Sequence, residues 1–124
     1  KLDNITNKRI SNGKLFDKML SQNPNIEILK RDKNLKEVFH LYQINAKKRD
    51  QLIKYLISKN IDAKVHYPIP IHLQKAAKFL KHKNGDFPNA ERIAKSTLSL
   101  PVHEFIEKKD ILHMSKLINK FYKL

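Results

Sequence analysis

Val38-Phe39-His40-Leu41-Tyr42-Gln43-Ile44 is apolar on both faces and rich in β-branched and aromatic residues, which predicts a buried strand. Side chains alternate along a strand, so His40 and Tyr42 should share a face with Val38 and Ile44. The period then changes. Asn45 stands as a candidate N-cap. The run that follows, Arg49-Asp50-Gln51-Leu52-Ile53-Lys54-Tyr55-Leu56-Ile57, carries Leu52, Ile53, Leu56 and Ile57 as a helical stripe. A strand passing into an amphipathic helix makes this a chain of mixed α and β character.

The flanking segments repeat the same alternation. Upstream, Leu2, Ile5, Arg9, Phe16 and Leu20 recur at helical spacing and predict a helix over roughly 1–21, weakened in its middle by Gly13 and broken by Asn23-Pro24-Asn25. Ile26, Ile28 and Leu29 read as a short strand. Downstream, Asn60 occupies a position that calls for the left-handed region after a helix. Ile61, Ala63 and Val65 alternate with polar residues, as a strand would. Leu73 to Leu80 predicts a short helix and His82 to Phe87 a loop. Asp86 is the expected cap of a helix with Pro88 in its first turn and Glu91 near its positive end. Ile93 and Ala94 are expected to face inward. Leu98 to Leu100 predicts a strand ended by Pro101. The last helix carries Ile111, Met114, Ile118 and Phe121 inward, with Asp110 complementing its dipole. The fold class is α+β: a short, partly antiparallel sheet packed against helices.

The composition narrows the function. A chain of 124 residues is one domain's worth. It has only two glycines, which excludes a GxGxxG phosphate loop, and no cysteine, which excludes disulfides, a thiolate nucleophile and Cys-based zinc. No apolar run approaches a membrane span, and no signal peptide is expected. The first residue is Lys rather than Met, so a natural start upstream of it is expected. The formal net charge of +14 raises nucleic-acid binding. The excess is lysine rather than arginine, however, and it is spread along the chain. A solvated lysine-rich surface is the first reading. A small basic nucleic-acid-binding or interaction domain, and electrostatic steering of an anionic substrate, stay as alternatives.

His66-Tyr67-Pro68-Ile69-Pro70-Ile71-His72 is the most chemically loaded stretch, with two imidazoles and a phenol on a loop stiffened by two prolines. Such a loop meets a ligand at reduced ordering cost, although the same residues also suit a purely structural loop. The other histidines lack ligand spacing for a metal. Ser99, His103 and Asp110 form a triad on paper only, with no nucleophile turn around the serine. Tyr42 suits a core tyrosine with a satisfied hydroxyl, and Arg49-Asp50 a local charge pair.

Read in order, His40-Leu41-Tyr42-Gln43-Ile44, Arg49-Asp50-Gln51-Leu52, Asn60-Ile61, His66 to Gln74, Gly85-Asp86-Phe87-Pro88-Asn89-Ala90-Glu91 and Leu98-Ser99-Leu100-Pro101 resemble the C-terminal portion of the DegT/DnrJ/EryC1/StrS family. These are pyridoxal-phosphate-dependent nucleotide-sugar aminotransferases. The resemblance covers nearly the whole chain, and its His66–Gln74 wording is similar to members that aminate a dTDP-linked 3-keto-6-deoxyhexose.

The resemblance implies that residues 1–124 form a small C-terminal domain like that of the aspartate-aminotransferase superfamily. The large domain, with the Schiff-base lysine and most of the pyridoxal 5'-phosphate contacts, would lie upstream. No lysine here sits in the matching context, so none is assigned that role, and the fragment alone is expected to be inactive. The resemblance also implies a homodimeric, cytoplasmic bacterial enzyme. It would take a nucleotide-sugar substrate with glutamate as amino donor, with no nucleic-acid partner and no membrane span. His66, Tyr67 and His72 match the family's loop at the active-site mouth and are the expected substrate-binding residues. Arg9 matches a family arginine whose expected role is structural. Two departures stand out: Asn60 where the family has Gly, and Gly13 where Ala is usual. A non-enzymatic, regulatory relative is the third reading.

Overall fold

The computed structural model describes all of residues 1–124. Helix α1 spans Leu2–Leu20 and leads through Asn23 into strand β1, Ile26–Ile28. Strand β2 is Tyr42–Ala46, and α2 is Arg49–Ser58. Two short 3₁₀ helices, Ile71–Leu73 and Lys75–Leu80, precede α3, Pro88–Ser96. Strand β3, Thr97–Leu100, follows α3 directly, and α4, Lys108–Phe121, closes the chain.

The three strands form one sheet in the order β1-β2-β3, antiparallel throughout. In register, Ile44 opposes Ile28 on one side and Leu98 on the other, while Tyr42 opposes Leu100. The period of two then divides the sheet. Tyr42, Ile44, Leu98 and Leu100 enter the core with Phe16, Leu20, Leu52, Leu56, Ile111 and Ile118 from α1, α2 and α4. Gln43, Asn45, Thr97 and Ser99 fall on the opposite face, beside α3 and the 66–73 loop. That face carries the site.

Three polar residues tie the core together, and a capping box starts the last helix. Tyr42 is fully buried, stacks on Phe16 at 4.7 Å and donates its hydroxyl to Asp17 at 2.8 Å. Burial and the neighbouring Asp17 carboxylate push its phenol far above the ordinary tyrosine range. Arg49 donates to the Thr97 carbonyl and to Asp50, both at 2.6 Å, fastening α2 to β3. Arg9 donates to the carbonyls of Phe39 and His40 at 3.3 and 3.2 Å and pairs with Glu104 at 3.2 Å, a structural clamp between α1 and two loops. In α4, Glu107 and Asp110 form a capping box.

Several expected elements are displaced. The strand begins at Tyr42, not Val38: Val38 is exposed and Phe39 adopts φ +51°, which no extended strand admits. The Phe39 ring instead turns inward, 6.1 Å from Tyr42, and packs over the backbone of Gly13. Gly13 is thus small because Phe39 lies on it. Asn45 sits within β2 and caps nothing; the N-cap of α2 is Lys48, at φ +53°. Asn60 adopts φ +61°, as its position requires. The alternating 61–65 run makes only one bridge, Lys64 to Ser99, because a tight turn with Ala63 N–H donating to Ile61 O interrupts it. Asp86 does not cap α3; its carboxylate turns back to the Lys83 N–H at 2.9 Å, and Phe87 occupies the cap position. Ile93 is partly exposed rather than inward-facing, whereas Ala94 is buried. No helix is long and apolar enough to cross a membrane.

Candidate functional site

The 66–73 loop leaves the Lys64–Ser99 bridge and crosses the polar face of the sheet. It is pinned at both ends. At one end, His66 Nδ1 lies 2.9 Å from the Ser99 hydroxyl on β3. At the other, His72 Nε2 lies 3.1 Å from Glu91 Oε1 on α3, with both side chains buried. Between them the Gln74 amide donates to Ile69 O at 3.1 Å. Tyr67 is held outward, 82% exposed and at φ +57°, where a bulky residue ahead of proline is strained. Backbone strain of roughly 1–3 kcal/mol persists only where the surroundings impose it, and it concentrates at functional sites. The expected extended loop is therefore stiff but kinked at Tyr67.

The loop and α3 enclose an open groove of about 760 Å³, within the range of small-molecule sites. Its floor is Gln43, Asn45 and Thr97. Asn45 is oriented by Glu27, whose Oε2 accepts from Asn45 Nδ2 at 3.1 Å and from Arg92 at 3.0 Å. Those two donors hold the Glu27 carboxyl below its ordinary range. One wall carries His66, Tyr67, Ile69 and Ile71, and the other His82, Phe87 and Ile93. The three residues expected to bind substrate are thus brought to one groove. His66 also borders a smaller hollow of about 310 Å³ with Arg9, Lys64, His103 and Asp62, where Lys64 pairs with Asp62 at 2.8 Å and Arg9 with Glu104.

No Lys, Arg, Asp or Glu lines the main groove. It therefore does not fit pyridoxal phosphate on its own: it offers no amine for a Schiff base, no cation for a phosphate and no carboxylate for a pyridine nitrogen. The groove suits an uncharged, ring-shaped portion of a ligand, met by apolar walls and a few neutral polar groups.

Ser99, His103 and Asp110 do not assemble into a triad. Ser99 meets His66 instead, and Asp110 accepts from the Glu107 N–H at 3.0 Å. No three His, Asp or Glu side chains converge on a point that would hold a metal. The sequence reading missed Glu91, Phe87 and His82 as parts of the site. Their link to His72 spans a loop with no fixed spacing, and the Gly85-Asp86-Phe87 turn was its only trace.

A sequence model of the DegT/DnrJ/EryC1/StrS aminotransferase family matches residues 1–119. A pleiotropic regulatory protein of Geobacillus stearothermophilus is 40% identical over 86 residues, 69% of this chain and 23% of the relative. The dTDP-3-amino-3,4,6-trideoxy-alpha-D-glucose transaminase of Streptomyces venezuelae is 32% identical over 84 residues, 68% of this chain and 22% of the relative. The crystal structure of S. venezuelae DesV with a ketimine intermediate superposes on 99% of this chain and 33% of its own, with a TM-score of 0.93 and 27% identity. The chain thus spans about a quarter to a third of the relatives it matches.

Proposed function

Because the chain belongs to the DegT/DnrJ/EryC1/StrS aminotransferase family, we propose that residues 1–124 are the small C-terminal domain of an intact sugar-nucleotide aminotransferase. That enzyme transfers an amino group, from glutamate, to a keto-sugar nucleotide. The dTDP-linked transaminase among its relatives and the wording of the 66–74 loop favour a dTDP-linked 3-keto-6-deoxyhexose. Pyridoxal phosphate, when bound, supplies the electron sink for the transfer. Its Schiff-base lysine and phosphate contacts belong to a large domain outside this chain, in keeping with a groove lined by no Lys, Arg, Asp or Glu. The intact enzyme is a homodimer of the bacterial cytoplasm, and this domain alone does not turn over.

The observation that carries the reading is the groove built around the doubly pinned loop. His66, Tyr67 and His72 bind the substrate by shaping and contacting its sugar-nucleotide portion, with Tyr67 presented outward at a strained φ. Neutral walls suit the sugar or base ring. The diphosphate is left to cationic groups outside this groove. Prior ordering of the loop lowers the entropic cost of binding.

The full-length protein, loaded with pyridoxal phosphate and given glutamate and a dTDP-linked 3-keto-6-deoxyhexose, should form 2-oxoglutarate and the amino sugar in equal amounts. Absence of turnover on both dTDP- and UDP-linked keto-sugars would defeat the reading. The regulatory name of the G. stearothermophilus relative favours a second one, in which the same fold serves regulation. An intact protein with neither cofactor absorbance nor turnover would establish that instead.

A further inference from the structure

Glu91 does not line the groove, yet it governs a residue that does. It lies on α3 at 6% exposure. A carboxylate taken out of water needs hydrogen bonds in compensation. Its Oε1 accepts from the Gly85 N–H at 2.8 Å and the Phe87 N–H at 3.4 Å, and faces His72 Nε2 at 3.1 Å. The Gly85 N–H first of all, with His72 and the Phe87 N–H, holds the carboxyl below its ordinary range against the opposing effect of burial. It is therefore ionised at neutral pH.

An ionised carboxylate only accepts hydrogen bonds, so the His72 nitrogen facing it carries a proton. The other nitrogen, Nδ1, has no partner within the chain and is not sealed from solvent. The ring belongs to the groove lining and is braced by Phe87 at 4.7 Å and His82 at 6.5 Å. In the neutral ring, Nδ1 is left as a lone-pair acceptor.

We propose that Glu91 is a positioning residue: by holding His72 as the Nε2–H tautomer it presents Nδ1 to the groove as the acceptor for a ligand hydroxyl. This rests on the groove being the wall for the sugar-nucleotide. The class of ligand follows from the chemistry. Apolar walls and neutral amides receive a ring, and an acceptor whose proton is held on the far nitrogen selects an O–H donor.

Full-length protein carrying Glu91→Ala tests it, with Glu91→Gln as the control. Oε1 alone serves Gly85, Phe87 and His72. A glutamine carbonyl in its place keeps all three and still calls for Nε2–H, whereas alanine leaves the ring without that acceptor. The expected result for Glu91→Ala is a rise of about tenfold in KM for the keto-sugar nucleotide, with kcat and the KM for glutamate within about twofold. Glu91→Gln should stay close to the wild type. In a His72→Ala background, Glu91→Ala should add nothing further. Additive effects, or equal losses with both substrates, would overturn the proposal. Nitrogen-15 spectra of histidine-labelled full-length protein give a reading independent of turnover. They should show His72 as Nε2–H in the wild type and in Glu91→Gln, and as a mixture in Glu91→Ala. A wild-type His72 protonated on Nδ1 alone, or on both nitrogens, overturns the proposal. Should the wild type aminate no keto-sugar nucleotide, the functional reading fails on its own account, and the spectra still decide the role of Glu91.

Discussion

A β-carbon on Gly13 would stand 2.6 Å from the ring of Phe39, closer than packed atoms approach. The pair explains two anomalies together: a glycine inside a helix, and a phenylalanine at φ +51° ahead of β2. The ring fills the space a side chain on α1 would take. Arg9, bonded to the Phe39 carbonyl, and Arg31, 5.0 Å from the ring, hold it there.

Gly13→Ala should therefore destabilise the full-length protein. Helix propensity alone predicts a gain of up to about 1 kcal/mol. Overpacking against a buried ring costs about 1–3 kcal/mol and prevails. Removing the ring inverts the sign: in a Phe39→Ala background, already weakened by about 3 kcal/mol or more, Gly13→Ala should restore stability. Denaturant midpoints of the four proteins check this. A stabilising Gly13→Ala in the wild-type background would contradict it.

Tyr67 is expected to separate stability from binding. Its φ of +57° costs a tyrosine but not a glycine. Tyr67→Gly should leave the melting temperature unchanged or slightly raised, since the side chain is largely exposed. KM for the sugar nucleotide should rise about tenfold or more through loss of the aromatic contact. Melting curves and substrate-saturation kinetics of the full-length protein measure both. A large fall in melting temperature with unchanged KM would make Tyr67 structural.

Acid should loosen the groove before the core. The Glu91 and Asp86 carboxyls titrate below their ordinary values of 4.5 and 3.8. A group with a depressed folded-state pKa contributes stability that is fully present above its unfolded value and lost as pH falls through the folded one. Amide exchange across 82–91 should therefore accelerate as pH drops below about 4, relative to α4 and after correction for intrinsic rates. Unchanged protection of Gly85 and Phe87 down to pH 3 would show that the Glu91 bonds contribute nothing.

The parts of this fold readable from sequence were those governed by local period and composition. The stripe of Ile111, Met114 and Ile118, the pairing-competent Leu98–Leu100 and the left-handed Asn60 all declare themselves within a few residues. Val38–Leu41 misled because its strand propensity is overridden by Phe39, which gains more by folding back over Gly13 than by extending. Asn45 resembles a cap only until β2 is known to run through it to Ala46. The candidate site divides in the same way. His66, Tyr67 and His72 share one short loop and stood out together. Glu91 acts across 19 residues of chain, on a turn whose closure depends on the very bonds it makes.

The central claim, that the 66–73 loop and α3 form the sugar-nucleotide wall of a family aminotransferase, is tested most directly by a crystal structure of the full-length protein with a bound dTDP-linked hexose. The account predicts the sugar or base ring seated in the groove over Gln43 and Asn45, against Tyr67, with a hydroxyl donating to His72 Nδ1. A nucleotide sugar bound elsewhere in the protein, with His66, Tyr67 and His72 all facing solvent, would contradict it.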